Sequence, residues 1–178
     1  DDRLTGIAWV SKNKRIGPQK SMTLMELAQL TGIPGIRFID LQYGDTAEER
    51  RQFEDHTGVT VLHDEHVDQM SDLDAFAAQV AAMDLVISVS NTTVHMSGAL
   101  GVPAWVMLNT VPLPCWLLEG DDSPWYPSAR LFRQPAAGDW ANVIERIGEA
   151  LAGLAGRSKI WAKPLSKPSA TFSRAVSG

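Results

Sequence analysis

Residues 84–103 of the chain are DLVISVSNTTVHMSGALGVP, and this stretch decides the fold. Leu85–Val89 is a short apolar run rich in β-branched residues, which predicts a buried strand. Four consecutive residues of the kinds that cap helices follow it: Ser90, Asn91, Thr92 and Thr93. A helical pattern then runs to Gly101, a typical helix stop, and Pro103 stands just behind it.

A strand that leads directly into a polar helix start is a candidate anion site. The free N–H groups and the positive end of the helix dipole face outward there, and both favour phosphate. His95 lies in the first turn of the predicted helix, and helix side chains lean toward the N-terminus, so its imidazole can reach the same place. The alternative is an ordinary strand–helix junction, because every such unit needs a cap.

Composition narrows the class of protein. A length of 178 residues suits one domain with a full core, and a net charge of −5 argues against nucleic acid as the main partner. The single cysteine, Cys115, excludes an internal disulfide and a multi-cysteine metal site. No apolar run has transmembrane length, and residues 1–3 do not begin a signal peptide. We therefore expect a cytoplasmic protein without a membrane span, and one cut from a longer chain.

Strand and helix patterns alternate along the chain, which predicts an α/β fold. The predicted strands are residues 4–10, 36–41, 59–62, 85–89, 104–108 and 130–133. The predicted helices begin at a Thr23–Glu26 capping box, at Asp45, Asp72, Thr92 and Asp139, and end near residues 30, 56, 83, 100 and 154. We expect a doubly wound, mostly parallel Rossmann-like sheet with helices on both faces, in strand order 3-2-1-4-5-6. Residues 1–155 form this domain, and residues 156–178 are a basic, Ser- and Pro-rich extension.

The loop after the first predicted strand, residues 11–20, is strongly basic for an acidic protein. Its four cations are Lys12, Lys14, Arg15 and Lys20. In the expected strand order this loop faces the residue 91–93 turn across the crevice between the first and fourth strands. A cationic loop opposite a helix N-terminus predicts a diphosphate site, whereas the loop taken alone fits a solvated surface equally well.

Several common site motifs are missing from the sequence. The first strand–helix turn lacks Gly-x-Gly-x-x-Gly, and neither a P-loop nor a Gly-x-Ser-x-Gly elbow occurs. Three histidines and two carboxylates cluster in one region: His56, His63, His66, Asp64 and Glu65. Their spacing matches no standard metal site, so we expect no metal.

Five separated segments of the chain carry a family resemblance. They are GIAWVSKNKRIG at 6–17, LQYGD at 41–45, the stretch at 84–108, DDSPWYPSARLFRQP at 121–135 and GDW at 138–140. Across residues 4–152 the chain resembles the carboxyl-terminal half of bacterial tetratricopeptide-repeat glycosyltransferases. It is similar to the heptosyltransferase family and, more distantly, to O-linked N-acetylglucosamine transferases. Ser90 stands where many heptosyltransferase-like sequences have Asp.

The resemblance implies one lobe of a GT-B glycosyltransferase, with a nucleotide-sugar as donor substrate and no cofactor. Position by position, it places the donor against eight residues: Lys14, Lys20, Gln42, Tyr43, Asn91, Thr92, Thr93 and His95. Asn91 to His95 would hold the diphosphate and sugar, the lysines would neutralise the leaving nucleotide, and residues 42–43 would border the nucleoside. The implied partners are an amino-terminal lobe and a repeat region of the same protein. No catalytic residue is assigned, and we expect donor binding without transfer by this chain alone.

Two other classes stay open. A sugar-nucleotide epimerase has the same two-lobed architecture and would use acidic and histidine groups, for which residues 64–66 are candidates. A non-catalytic binding module could keep the fold without the chemistry. Trp116, Trp125 and Tyr126 are predicted to bury the sheet edge rather than to stack on a ligand, and Cys115 is predicted to be structural.

Overall fold

The computed structural model describes residues 2–155 of the chain, so the predicted extension at 156–178 lies outside the described residues. Five strands form a single parallel sheet: β1 (Arg3–Ala8), β2 (Ile36–Asp40), β3 (Leu85–Val89), β4 (Ala104–Leu108) and β5 (Ala129–Arg133). The strand order is β2-β1-β3-β4-β5, and every neighbouring pair is parallel. This arrangement confirms the expected doubly wound α/β fold.

Five α-helices connect and cover the strands: α1 (Gly17–Lys20), α2 (Ala47–Thr57), α3 (Leu73–Ala81), α4 (Thr92–Ala99) and α5 (Trp140–Ala155). Two 3-10 segments accompany them, Leu24–Gly32 and Pro114–Trp116. The helix predicted after Thr23 is therefore a 3-10 helix, and the short α1 inside the basic loop was not expected.

Both faces of the sheet are covered, as the largely apolar central strands β3 and β4, buried at every position, predict. Leu85, Ile87 and Val89 of β3 pack in the larger core with the first 3-10 helix, α2 and α5. Val86, which points the other way, packs with α3, and Val94 of α4 packs against β4 on that same side. The two helical layers leave the carboxyl ends of β1 and β3 open at one edge.

The third predicted strand, at residues 59–62, is the main correction to the fold. It is reduced to a single parallel bridge between Leu62 and Ile39, beside the outer edge of β2. Its place agrees with the predicted order, but it does not extend into a strand. Leu62 is still about two-fifths exposed there, at 42%. So short a segment at a sheet edge gains little burial from further pairing.

Most of the predicted capping residues lie at the helix N-termini of the structure. Glu26 accepts from the Thr23 backbone N–H at 2.7 Å, Asp72 accepts from Ala75 N–H at 2.9 Å, and Asp139 accepts from Asn142 N–H at 3.1 Å. These three predictions are confirmed. The prediction for Asp45 is wrong by one residue. The capping residue of α2 is Thr46, and Asp45 accepts instead from Ala47 N–H at 3.0 Å.

Candidate functional site

Asn91 joins the ends of β1 and β3 to the start of α4. It is the capping residue of α4, and its Oδ1 accepts from Thr93 N–H and from the Ser88 hydroxyl, both at 3.0 Å. Its Nδ2 donates to the Val10 carbonyl, 3.2 Å away. The side chain therefore fixes the helix start at the point where the strand order reverses, which is where α/β sheets bind ligands.

The two threonines of the α4 start have different surroundings. Thr93 is buried, and its hydroxyl donates to the Leu41 carbonyl over a long 3.4 Å contact. Thr92 is exposed. The first N–H groups of a helix lack partners within the helix, and here Asn91 takes that of Thr93. Thr92 is thus open to solvent at the helix start, whereas Thr93 supports the turn.

Lys20 lies beside this helix start. Its side chain is buried, and its Nζ donates to the Ser90 carbonyl at 2.8 Å. Burial lowers the pKa of the Lys20 ammonium, and the nearby Cys115 acts in the opposite direction to a smaller extent. An ammonium has three N–H donors, but within residues 2–155 this one makes a single hydrogen bond. A buried cation with spare donors at a helix N-terminus favours an anionic ligand.

The other three cations of the basic loop, Lys12, Lys14 and Arg15, differ in their surroundings. Lys12 Nζ lies 5.1 Å from the centre of the Tyr43 ring, and the Tyr43 hydroxyl accepts from the Lys12 backbone N–H. Lys14 and Arg15 are exposed. The loop turns tightly at Gly17, where an added Cβ would lie 2.2 Å from the Ser11 carbonyl oxygen. Lys20 thus contacts Ser90 just before the α4 start, and Lys12, although exposed, lines the same cleft as Thr92, whereas Lys14 does not line it.

A cleft of about 330 Å³ opens at the start of α4. We call it the α4 cleft; its walls are Lys12, Tyr43, Gln69, Met70, Leu73, Phe76, Thr92 and Thr93. Apolar side chains around the start of α3 face the polar helix start and Lys12 across it. Such a shape suits a ligand with a flat, partly apolar part joined to an anion.

Gln69 is a cleft residue that sequence reasoning missed. It is 9% exposed, and its Nε2 has no hydrogen-bond partner in the described part of the chain. A buried donor without a partner costs about 1–3 kcal/mol, so a ligand that supplies an acceptor would gain from this amide. No motif surrounds Gln69 in the sequence, so only the folded position reveals it.

Gln42, predicted to border the nucleoside, is instead a buried link behind the cleft. Its Oε1 accepts from Trp9 N–H at 3.0 Å and from Val10 N–H at 2.7 Å. Its Nε2 donates to the Tyr43 carbonyl at 3.2 Å. These bonds replace strand pairing beyond Ala8, which explains why β1 ends two residues before its predicted end at Val10. Gln42 thereby positions Tyr43, which does line the cleft.

His95 lies one turn into α4, packed among aromatic rings. Its Nδ1 is 3.0 Å from the Tyr126 hydroxyl, and its ring stacks on Trp116 with centroids 5.3 Å apart. Trp116 Nε1 donates to the Ser90 hydroxyl at 2.9 Å. Burial, and to a smaller extent the charge of Lys20, lower the pKa of His95. Both effects favour the neutral imidazole.

The aromatic segment between β4 and β5 behaves as predicted in two of three positions. Trp116 is fully buried and Tyr126 packs against the same cluster as Trp116. Trp125 is 70% exposed, so its predicted burial is wrong. The Ser123 hydroxyl accepts from the N–H groups of both Trp125 and Tyr126, and this tight turn sends the two neighbouring side chains in different directions.

A second cleft, of about 450 Å³, lies at the β2 edge. We call it the edge cleft; its walls are Ile39, Leu62, His63, Asp64, Glu65, His66, Gln79 and Met83. His63 Nδ1 is 3.0 Å from the buried Asp40 carboxylate, which Arg50 also approaches at 3.3 Å. Within residues 2–155 no three His, Cys, Asp or Glu side chains are grouped to hold a metal ion. The acidic and histidine residues 64–66 thus lie apart from the α4 cleft.

No α-helix of the described residues 2–155 has the length and hydrophobicity that crossing a membrane requires.

Comparison with solved structures places the fold among glycosyltransferases. The E. coli ADP-heptose lipopolysaccharide heptosyltransferase II superposes with a TM-score of 0.63 at 15% identity over 86% of this chain. The E. coli heptosyltransferase WaaC with ADP gives 0.61 at 18% identity over 85%. A glycosyl transferase family 9 structure from Veillonella parvula gives 0.60 at 14% identity over 86%. The chain has the Rossmann-like fold found in these heptosyltransferase-type enzymes.

Sequence comparison gives one curated relative, and no family model matches. The protein FlbA of Caulobacter vibrioides is 38% identical over 123 residues, which is 68% of this chain. The chain spans 20% of the length of FlbA and between 45% and 46% of the three solved structures. The matched region is thus one part of larger proteins in every case.

Proposed function

We propose that the chain is the donor-binding lobe of a GT-B glycosyltransferase and that it holds the diphosphate of a nucleotide-sugar at the start of α4. The observation that carries the proposal is the buried Lys20 ammonium with spare donors, next to a helix N-terminus that opens into the α4 cleft. The fold shared with heptosyltransferases supports it. The dipole of α4, its free N–H groups and the Lys20 ammonium would all attract an anion to the same place.

The walls of the α4 cleft suggest how the donor lies. The phosphates meet Thr92 and the first N–H groups of α4, with Lys20 on one side and Lys12 on the other. The nucleoside packs on the apolar wall of the cleft, where Gln69 offers its unpaired amide to the base. Tyr43, held by its neighbour Gln42, closes this wall. Lys14 stays at the surface and contributes only long-range charge.

The same groups fit the chemistry of sugar transfer. Breaking the bond between sugar and diphosphate leaves negative charge on the departing phosphate, which preorganised dipoles and cations stabilise. His95 adds a neutral imidazole near this charge. No group of the α4 cleft is positioned as a base for an acceptor hydroxyl. We therefore propose that another part of a longer protein supplies the base and the acceptor, as the resemblance implies, and that this chain alone binds without transfer.

The epimerase alternative has one specific observation against it. Its candidate acid–base residues, Asp64, Glu65 and His66, line the edge cleft and not the α4 cleft. An epimerase needs these groups beside the bound nucleotide-sugar. A non-catalytic module remains compatible with the binding geometry and differs from the transferase only in the activity of the longer protein.

Calorimetric titration of the 178-residue chain with UDP, GDP and ADP tests the proposal. We expect saturable binding of at least one nucleoside diphosphate, and tighter binding of its sugar conjugate. A failure of all three to bind would contradict the donor-lobe function. Product analysis on the full-length protein then separates sugar transfer from epimerisation and from binding alone.

A further inference from the structure

Tyr126 packs against α4 more closely than an ordinary packing residue. A Cβ added at Gly98 would lie 2.3 Å from Cγ of the Tyr126 ring, so the ring rests directly on the helix backbone. This contact requires glycine at position 98. From there the Tyr126 hydroxyl reaches His95, which lies on the same helix face three residues earlier.

Aromatic contacts hold the His95 ring in one orientation. Trp116 stacks on it with planes 23° apart, and Tyr126 meets it edge-on with centroids 5.7 Å apart. Trp116 is itself fixed through its bond to Ser90, the residue that also accepts from Lys20. The imidazole is thus tied on one side to Tyr126 and on the other to the residues that form the helix start.

The proton on the Tyr126 hydroxyl has one acceptor in the described part of the chain, His95 Nδ1. If Nδ1–H donated instead, the phenol O–H of this partly buried residue would be left without a protein partner. A neutral imidazole that accepts at one nitrogen carries its proton on the other. Burial and the ammonium of Lys20 in α1 lower the pKa of His95 and so favour the neutral ring.

We propose that Tyr126 is a positioning residue whose hydroxyl donates to His95 Nδ1 and holds the imidazole as the Nε2–H tautomer. His95 then presents an N–H donor to the diphosphate of the nucleotide-sugar. This inference rests on the proposed function for its ligand, but the tautomer itself does not depend on any ligand. Sequence reasoning assigned His95 to the donor and Tyr126 only to the sheet edge.

Nitrogen-15 NMR of the imidazoles in the 178-residue chain tests the tautomer directly. The chain has four histidines, and the spectrum of His95→Gln identifies the signals of His95. We expect the wild-type His95 to carry its proton on Nε2, and Tyr126→Phe to give a mixture of tautomers. Trp125→Phe, a substitution at the exposed neighbour, is the matched control and should change nothing. A wild-type Nδ1–H tautomer, or an unchanged spectrum in Tyr126→Phe, would overturn the inference.

Nucleotide titration of the same variants tests the consequence. Tyr126→Phe keeps the ring on Gly98, and it should weaken nucleoside diphosphate binding about three- to tenfold, the worth of one ordinary hydrogen bond. Nucleoside binding and the Trp125→Phe control should match the wild type. Equal diphosphate affinity in wild type and Tyr126→Phe would refute the positioning role. Absence of binding by the wild type would instead refute the proposed function, while the tautomer result would stand.

Discussion

The α4 cleft and the edge cleft lie along the same helix, α3, but they present opposite charges. Around the α4 cleft stand a helix N-terminus, Lys12 and the nearby Lys20. The walls of the edge cleft include two carboxylates, Asp64 and Glu65. The edge cleft has the larger volume, about 450 against about 330 Å³. Size alone favours the edge cleft as a ligand site, whereas charge and backbone direction favour the α4 cleft for a diphosphate.

The difference follows from topology. All strands are parallel, so their carboxyl ends meet at one edge, and the order reverses between β1 and β3. The chain leaves these strands in different directions and opens a crevice there. The edge cleft lies beside β2, where a single bridge at Leu62 ends the sheet. We expect nucleotide binding to depend on the α4 cleft and not on the edge cleft.

The largest expected effect comes from Lys20. Lys20→Met removes a buried charge beside the α4 start, and one charge-assisted contact is worth about 1.5–3 kcal/mol. We expect nucleoside diphosphate affinity to fall about 10- to 150-fold, with nucleoside affinity unchanged, by calorimetry. Lys14→Met, in the same loop but exposed, is the matched control and should lose less than about threefold. Equal losses in both lysine variants would show that the loop acts only through its net charge.

Removing the hydroxyls of Thr92 and Thr93 should lower nucleoside diphosphate affinity about tenfold. The double variant Thr92→Ala, Thr93→Ala removes two hydroxyls from the helix start but keeps the Asn91 cap. The free energy of unfolding should fall by about 1 kcal/mol, for the Thr93 bond to Leu41. Thr31→Ala, which removes a hydroxyl bound to the Ala28 carbonyl elsewhere, should lose similar stability but no nucleotide affinity. Wild-type affinity in the double variant would rule out the α4 start as the phosphate site.

The Gln69 side chain should affect binding of the nucleoside part of the ligand. Gln69→Leu removes an unpaired buried amide, so stability should hold or rise slightly in thermal unfolding. Nucleoside and nucleoside diphosphate should both bind about three- to tenfold more weakly, since the amide meets the base and not the phosphates. A loss confined to the diphosphate would place the base elsewhere.

The edge cleft should have no effect on nucleotide affinity. In the double variant Asp64→Asn, Glu65→Gln, the carboxylates become amides of the same shape in an exposed segment. We expect affinities within about twofold of the wild type in calorimetry, because exposed charges outside the site act weakly. A large change in either direction would mean that the two clefts work as one site and would revive the epimerase hypothesis.

The sequence predicted most of the fold because its signals were local. Apolar runs, the capping residues Thr23 and Asp72, and the stop at Gly101 depend on neighbours within a few positions. The prediction of a strand at 59–62 was wrong because pairing at a sheet edge depends on how exposed the segment is. The pattern of residue types does not show that exposure. The end of β1 was placed two residues late because a distant side chain, Gln42, takes over the N–H groups of Trp9 and Val10.

The candidate site could be located from the sequence only in part, for the same reason. The α4 start is one continuous motif, so Asn91, Thr92 and His95 could be named from the sequence. The sequence does not show which lysines of the basic loop point inward and which point to solvent. The path of the loop depends on the close approach of Gly17 to Ser11 and on the hydrogen bonds that Asn13 accepts, which only the folded structure shows. Gln69 and Tyr126 are far from α4 in sequence, and only the fold brings them to it. No local signal marks either residue.

The central claim is that a diphosphate binds at the N-terminus of α4, and backbone amide NMR tests it most directly. The nitrogen-15-labelled chain is titrated with UDP, GDP and ADP, and in parallel with the matching nucleosides. The account predicts saturable shifts of the Thr92, Thr93 and Val94 amides with at least one diphosphate and not with its nucleoside. Amides at the α4 start that stay unchanged with all three, or saturable shifts confined to residues 62–66, would contradict it.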